Sequence, residues 1–177
     1  ITIKGSDTMV ILSQQWAEAY MKKHPGTTIQ VTGGGSGVGL AALLNGSTDI
    51  ANSSRPIKPA EVEKLKAKYN KSGVEIACAK DGLSVFLNKG NAVSELTVQQ
   101  IGEIFSGKIT NWKEVGGADA KIQLYGRESS SGTFEFFKEH VVKTDFSPRC
   151  QTLPGTAAIV NAVKKDKYSI GYGGAAY

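Results

Sequence analysis

Apolar positions along this chain alternate between period-two and period-3.6 runs almost without interruption. Residues 1–4 read as a strand. Met9, Leu12, Trp16, Ala19 and Tyr20 then share one face of a helix that His24-Pro25-Gly26 stops. A β-branched strand over 28–32 runs into Gly33-Gly34-Gly35-Ser36-Gly37 and an apolar helix over 38–45. A short strand at 49–53 precedes a charged helix over 59–71, opened by a proline in its first turn. Strands are predicted at 74–79, 83–88, 121–125 and 168–172. Thr97-Val98-Gln99-Gln100 has capping-box spacing ahead of Ile101, Ile104 and Phe105, and further helices are predicted over 132–142 and 156–166. Strands alternating with helices imply parallel sheets in an α/β fold. A soft boundary at Lys80-Asp81-Gly82 divides the chain into an α/β lobe over 1–80 and a second over 81–177.

Charge changes this picture little. The net +5 comes from 21 Lys+Arg against 16 Asp+Glu, but only Arg55, Arg127 and Arg149 are arginines and the lysines are dispersed. That lacks the clustered basic stripe of a nucleic-acid binder and implies only a mild attraction for anions. No apolar run is long enough to span a membrane. Cys78 and Cys150 form no metal motif, and their spacing is compatible with a disulfide or with two thiols. His24 and His140 are expected on the surface.

Three loops share one grammar, in which a strand ends, small hydroxyl residues and glycines follow, and a helix begins. They are Gly5-Ser6-Asp7-Thr8, Gly35-Ser36-Gly37 and Ser129-Ser130-Ser131-Gly132-Thr133. Each offers backbone N–H groups at a helix start, and any one alone is no more than a cap. Together, at the carboxyl ends of strands and with Arg127 just ahead of the third, they point to an oxyanion site. Arg127 would supply the planar cationic fork; a surface arginine paired with Glu128 is the plain alternative. Competing motifs fail on their own terms. Gly102 to Lys108 imitates a phosphate-binding P-loop but has Ile109 where Ser or Thr is needed. Gly37-Val38-Gly39-Leu40-Ala41-Ala42 lacks the acidic residue a dinucleotide site requires, and Ser36 is not in a G-x-S-x-G elbow. No paired carboxylates or His/Cys cluster suggest catalysis or a metal, so neither an enzyme nor a cofactor is expected.

Four ordered segments are more specific than any single loop. Gly5-Ser6-Asp7-Thr8-Met9, Gly33 to Gly39, Asp49-Ile50-Ala51-Asn52-Ser53-Ser54-Arg55-Pro56 and Gly126 to Thr133, together with Leu96 to Trp112 and Ala162 to Tyr172, resemble the bacterial phosphate-binding proteins of the Pst ABC transporter, the PstS-like proteins. The resemblance covers essentially the whole chain. It implies a two-lobed α/β fold of the type II periplasmic-binding-protein kind, each lobe a mainly parallel sheet flanked by helices. It also implies a cleft that closes on one phosphate about hinge strands near Lys80 to Leu83 and after Tyr172. The ligand would be delivered to the permease subunits of an ABC transporter. Thr8, the Met9 backbone and Ser36 would bind from the first lobe; Arg127, Ser131, the Gly132 N–H and Thr133 from the second.

In that family an aspartate often stands at the position of Ser54, accepting the proton of bound phosphate. A serine there leaves discrimination against sulfate open unless Asp7 serves as acceptor, a cap role being its alternative. The family's chain also returns to the first lobe after a strand like Gly171-Tyr172, so the present sequence is expected to be a fragment. The resemblance further implies a monomer in the periplasm or anchored at the cell surface, its signal segment removed. Any membrane contact would come through the permease or a lipid anchor. Rivals are a binding protein for sulfate or molybdate, a phosphatase and a sensor domain.

Overall fold

The computed structural model describes residues 1–177, which divide into two compact units. The first comprises Ile1–Asp81 with Ser130–Gly132; the second comprises Gly82–Ser129 with Thr133–Tyr177.

In the first unit, β1 (Thr2–Gly5) is the centre of a three-stranded sheet between β2 (Gln30–Thr32) and β3 (Ile50–Asn52), all parallel. The connections are the helices α1 (Val10–Lys23) and α2 (Ser36–Asn45); α3 (Pro59–Tyr69) follows β3. Parallel strands send their carboxyl ends to one edge, so the loops after β1, β2 and β3 gather there. The face that α1 buries differs from the expected one. Ser13 and Ala17 are buried, whereas Trp16 and Tyr20 are 44% and 46% exposed. Small residues let the helix approach the sheet, and the Ser13 hydroxyl accepts a 2.8 Å hydrogen bond from the Asn52 amide at the end of β3. Outside, the Tyr20 ring stacks on His24 with ring centres 4.1 Å apart. No strand forms over 74–79, where every residue is exposed. Alternating Val74 and Ile76 suit a strand, but a strand exists only through a paired neighbour, and none lines up beside this segment.

The second unit is a four-stranded sheet ordered β4 (Leu83–Leu87), β7 (Ser169–Gly174), β5 (Gln123–Arg127) and β6 (Gln151–Leu153). β5 runs parallel to β6 and β7, while β4 is antiparallel to β7. Helices α4 (Val98–Ser106), α5 (Gly132–Phe137) and α6 (Gly155–Lys165) complete it. The Thr97 capping box forms as its spacing predicts, with the Thr97 hydroxyl accepting from the Gln100 N–H and the Gln100 side chain returning to the Thr97 N–H. The helix predicted over 132–142 changes register after Phe137 into a π-helical turn over Lys138–Val142. The core contains Ile104, Phe105, Trp112, Ile122, Leu124, Phe137, Val142, Ile170 and Tyr172. Phe137 lies flat on Tyr172 at 3.9 Å between ring centres, and Phe105 meets Phe137 edge-on at 5.0 Å. The Trp112 indole N–H donates to the Tyr168 carbonyl, so even this fully buried ring has its polar atom satisfied.

Candidate functional site

At the carboxyl edge of the first sheet the backbone itself ties the loops together. The Ser6 N–H donates to the Asn52 carbonyl at 2.9 Å, and the Gly35 N–H donates to the Gly5 carbonyl at 3.0 Å. Gly35 has φ +93°, and a Cβ there would lie 2.8 Å from the Ser130 carbonyl oxygen; only glycine fits both demands. Ser36 follows as the first residue of α2 and is fully buried. Its hydroxyl accepts the Ser54 N–H at 3.1 Å and lies 3.2 Å from the Ser54 hydroxyl. Gly132 packs on the same pair. A Cβ on it would stand 2.6 Å from the Ser54 oxygen and 2.7 Å from that of Ser36. Ser36, Ser54 and Gly132 therefore converge, and the Gly37 N–H donates to the Ser130 carbonyl beside them at 2.9 Å.

The Gly5–Met9 loop is arranged differently. The Thr8 hydroxyl is 2.8 Å from that of Ser6, and the Met9 N–H donates to the Ser6 carbonyl at 3.2 Å in a short 3-10 turn over Asp7–Met9. An Asp7 carboxylate oxygen accepts the Gly34 N–H at 2.9 Å, so this side chain joins the first loop to the glycine run. Cys78 and Cys150 are both free thiols, His24 and His140 are exposed, and no group of three or more His, Cys, Asp or Glu residues could hold a metal ion.

In the second unit the dominant feature is Arg127, only 2% exposed, at the carboxyl end of β5. Its Nε and Nη2 donate to the two carboxylate oxygens of Glu128 at 3.1 and 2.8 Å, and Nη1 donates to the Thr156 hydroxyl at 3.2 Å. Its backbone N–H donates to the Tyr172 hydroxyl. Burial pushes the Glu128 carboxyl up, but the hydrogen bonds and charge of Arg127 outweigh this and hold it below the usual range. Burial pushes the Tyr172 phenol far up and the Cys150 thiol up to about 11. The arrangement is a fixed guanidinium oriented by Glu128 and Thr156 and suited to electrostatic recognition. Ser131, which belongs to the first unit, and Thr133, in the second, are only 1% and 6% exposed. Thr156 and Tyr172 were not foreseeable as supports of Arg127, because they lie 29 and 45 residues away and come to it only through the start of α6 and the pairing of β7 beside β5.

The family model of the PBP superfamily domain matches residues 1–177. The phosphate-binding protein PstS of Pseudomonas aeruginosa is 34% identical, the match covering 98% of this chain and 58% of that protein. PstS of Staphylococcus epidermidis is 38% identical, covering 97% and 53%. The chain thus spans about half the length of the curated relatives it matches. Among solved structures, a putative phosphate ABC transporter substrate-binding protein with bound phosphate from Clostridium perfringens superposes with TM-score 0.91 at 32% identity, over 100% of this chain and 71% of that one. An ABC-type phosphate transport receptor from Vibrio cholerae gives 0.68 at 30%, over 98% and 70%.

Proposed function

Because the chain belongs to the PBP superfamily and its relatives are phosphate-binding proteins of the PstS type, we propose that this protein binds inorganic phosphate and passes it to the permease of an ABC transporter, with no bond made or broken. The observation that carries the reading is the buried Arg127 fork at the carboxyl end of β5. Glu128 and Thr156 hold its guanidinium in one orientation at that strand end, a preorganised planar cation of the kind that suits a tetrahedral oxyanion. The remaining ligand groups we propose are the hydroxyls of Thr8, Ser36, Ser54, Ser131 and Thr133 and the backbone at Met9 and Gly132. Asp7 is the proposed acceptor for a protonated phosphate; its bond to the Gly34 N–H engages one carboxylate oxygen in a loop-joining role. Such a protein would act as a monomer outside the cytoplasmic membrane. No helix is long and apolar enough to cross a membrane.

A second reading has its own support. The convergent groups at Ser36 and Ser54 are neutral hydroxyls, which stabilise any tetrahedral oxyanion and do not repel a fully ionised one. Sulfate is therefore the competitor to beat. Equilibrium dialysis of the full-length, ligand-stripped protein against labelled phosphate tests the main reading. Saturable retention of one phosphate per chain is expected, and retention no greater than for an unrelated basic protein contradicts it. Release of p-nitrophenol from its phosphate ester, abolished by Arg127→Ala, would favour a phosphatase instead.

A further inference from the structure

Resting on that reading, we infer that Glu61 is a positioning residue of the oxyanion site, acting through Arg55 to hold the Ser54 hydroxyl against Ser36. Six residues, Ser53–Lys58, connect β3 to α3 without regular structure. A hydroxyl that must meet an oxyanion has to be fixed to within about 0.5 Å, which an unsupported loop does not achieve.

The support on the page is specific. The Arg55 guanidinium donates from Nη1 and Nη2 to the two Glu61 oxygens at 2.9 and 2.8 Å, and Nη1 also donates to the Pro56 carbonyl at 2.9 Å. Glu61 in turn accepts the Lys58 N–H at 2.8 Å, so the carboxylate is anchored in the first turn of α3. Within the loop, the Ser53 hydroxyl donates to the Arg55 carbonyl at 2.7 Å. The stem of Arg55 also lies under Gly132: a Cβ on that glycine would be 3.2 Å from the Arg55 Cγ. One side chain thus touches the residue packed on both hydroxyls while its far end is pinned to a helix.

Two features separate this pair from an ordinary surface ion pair, which contributes little. The side chains are only 9% and 25% exposed, and the contact is a two-pronged fork. The hydrogen bonds from Arg55 hold the Glu61 carboxyl below its usual range, so the pair stays charged through neutral pH. Arg55 meets the hydroxyl pair through its stem at Gly132, while its Nη atoms are bound to Glu61 and the Pro56 carbonyl, so the role assigned to it is geometric. By contrast Glu63, on the same helix, pairs with Lys66 in the open, with side chains 70% and 52% exposed, and touches nothing in the loop.

The test compares Glu61→Gln with Glu63→Gln in the full-length protein, titrated with inorganic phosphate. Both remove one negative charge from α3, so a simple field effect tightens phosphate binding slightly in both. Positioning predicts the opposite sign at one site: Glu61→Gln, which keeps an oxygen for the Lys58 N–H, weakens binding about tenfold, as for coupled residues in one network. Arg55→Lys does the same, and the double variant is no worse than either. Equal behaviour of the two Gln variants, or tighter binding in Glu61→Gln, overturns the inference. Hydrogen exchange at the Ser54 amide, bonded to the Ser36 hydroxyl, provides a readout independent of ligand. It should accelerate about tenfold in Glu61→Gln and stay unchanged in Glu63→Gln. Unchanged exchange at Ser54 in both variants also overturns the inference. If the parent protein binds no phosphate, the functional reading fails, and this exchange still decides the role of the pair.

Discussion

Arg127 is the residue on which recognition of an anion would turn in this chain, and its neighbours explain why it holds one orientation. Glu128 takes two of its donors and Thr156 a third, so the fork has little rotational freedom left to lose on binding. Arg127→Ala should cost about 2–5 kcal/mol of phosphate binding, and Arg127→Lys should recover only part, since a single ammonium cannot reproduce the fork. Titration of both variants checks this; unchanged affinity in the alanine variant would remove Arg127 from the site. The two thiols give a second residue-scale prediction. Cys78 is exposed, whereas burial pushes the Cys150 thiol up to about 11, leaving roughly 0.1% thiolate at pH 8. Iodoacetamide should therefore label Cys78 first and Cys150 only after unfolding, as peptide mass mapping would report. The raised value also sets a sign for stability. A thiol near 8.5 in the unfolded chain ionises before the folded one does, so its contribution is fully present below about pH 8.5 and is lost as pH rises towards 11. Ser36 and Arg127 stood out as candidates because small-residue loops follow their strands, whereas Ser54 was singled out only by the family resemblance. Thr156, Tyr172 and Glu61 were not, since their importance lies in what they touch.

At the level of elements, the close approach of α2 to β1 sets where Ser36 stands. Gly39, one turn into α2, packs directly on the backbone of Lys4 and Gly5; an added Cβ would fall 2.6 Å from the Gly5 Cα and overlap the Lys4 carbonyl. Gly39→Ala should push the helix outward, destabilising the chain by about 1–3 kcal/mol and lowering its melting temperature. A melting temperature unchanged by the substitution would show that α2 can shift at no cost. Helices with caps or a proline start were readable, as at Thr97 and Pro59, because a local hydrogen bond or a fixed φ marks the boundary. The face of α1 was misread, since the apolar stripe through Trp16 and Tyr20 outweighs Ser13 in any hydrophobicity pattern. Packing on the sheet selected small residues and the Asn52 hydrogen bond instead. Residues 74–79 were misread for a related reason: alternation describes a strand's faces and says nothing about whether a partner is present. β6, three residues long, carries too short a pattern to register and exists through pairing with β5.

Across the whole molecule, strand–helix alternation gave the α/β class, and both sheets are built mainly from parallel pairs; β4, antiparallel to β7, is the departure. The basic balance of the chain is compatible with an anionic ligand but does not choose one. That choice depends on whether a bound proton is recognised. At pH 8.5 phosphate is almost wholly the monoprotonated dianion, equal in charge to sulfate and differing from it by one hydrogen-bond donor. An acceptor such as the Asp7 carboxylate would select phosphate by that donor, whereas hydroxyls at Ser36 and Ser54 alone would take both. The measurement that tests the account most directly is calorimetric titration of the full-length, ligand-stripped protein with phosphate and separately with sulfate, at pH 7 and at pH 8.5. The expected result is saturable binding of one phosphate per chain at both values. No phosphate binding at either would contradict it, and sulfate binding as tightly as phosphate would make the protein a general oxyanion receptor rather than a phosphate-specific one.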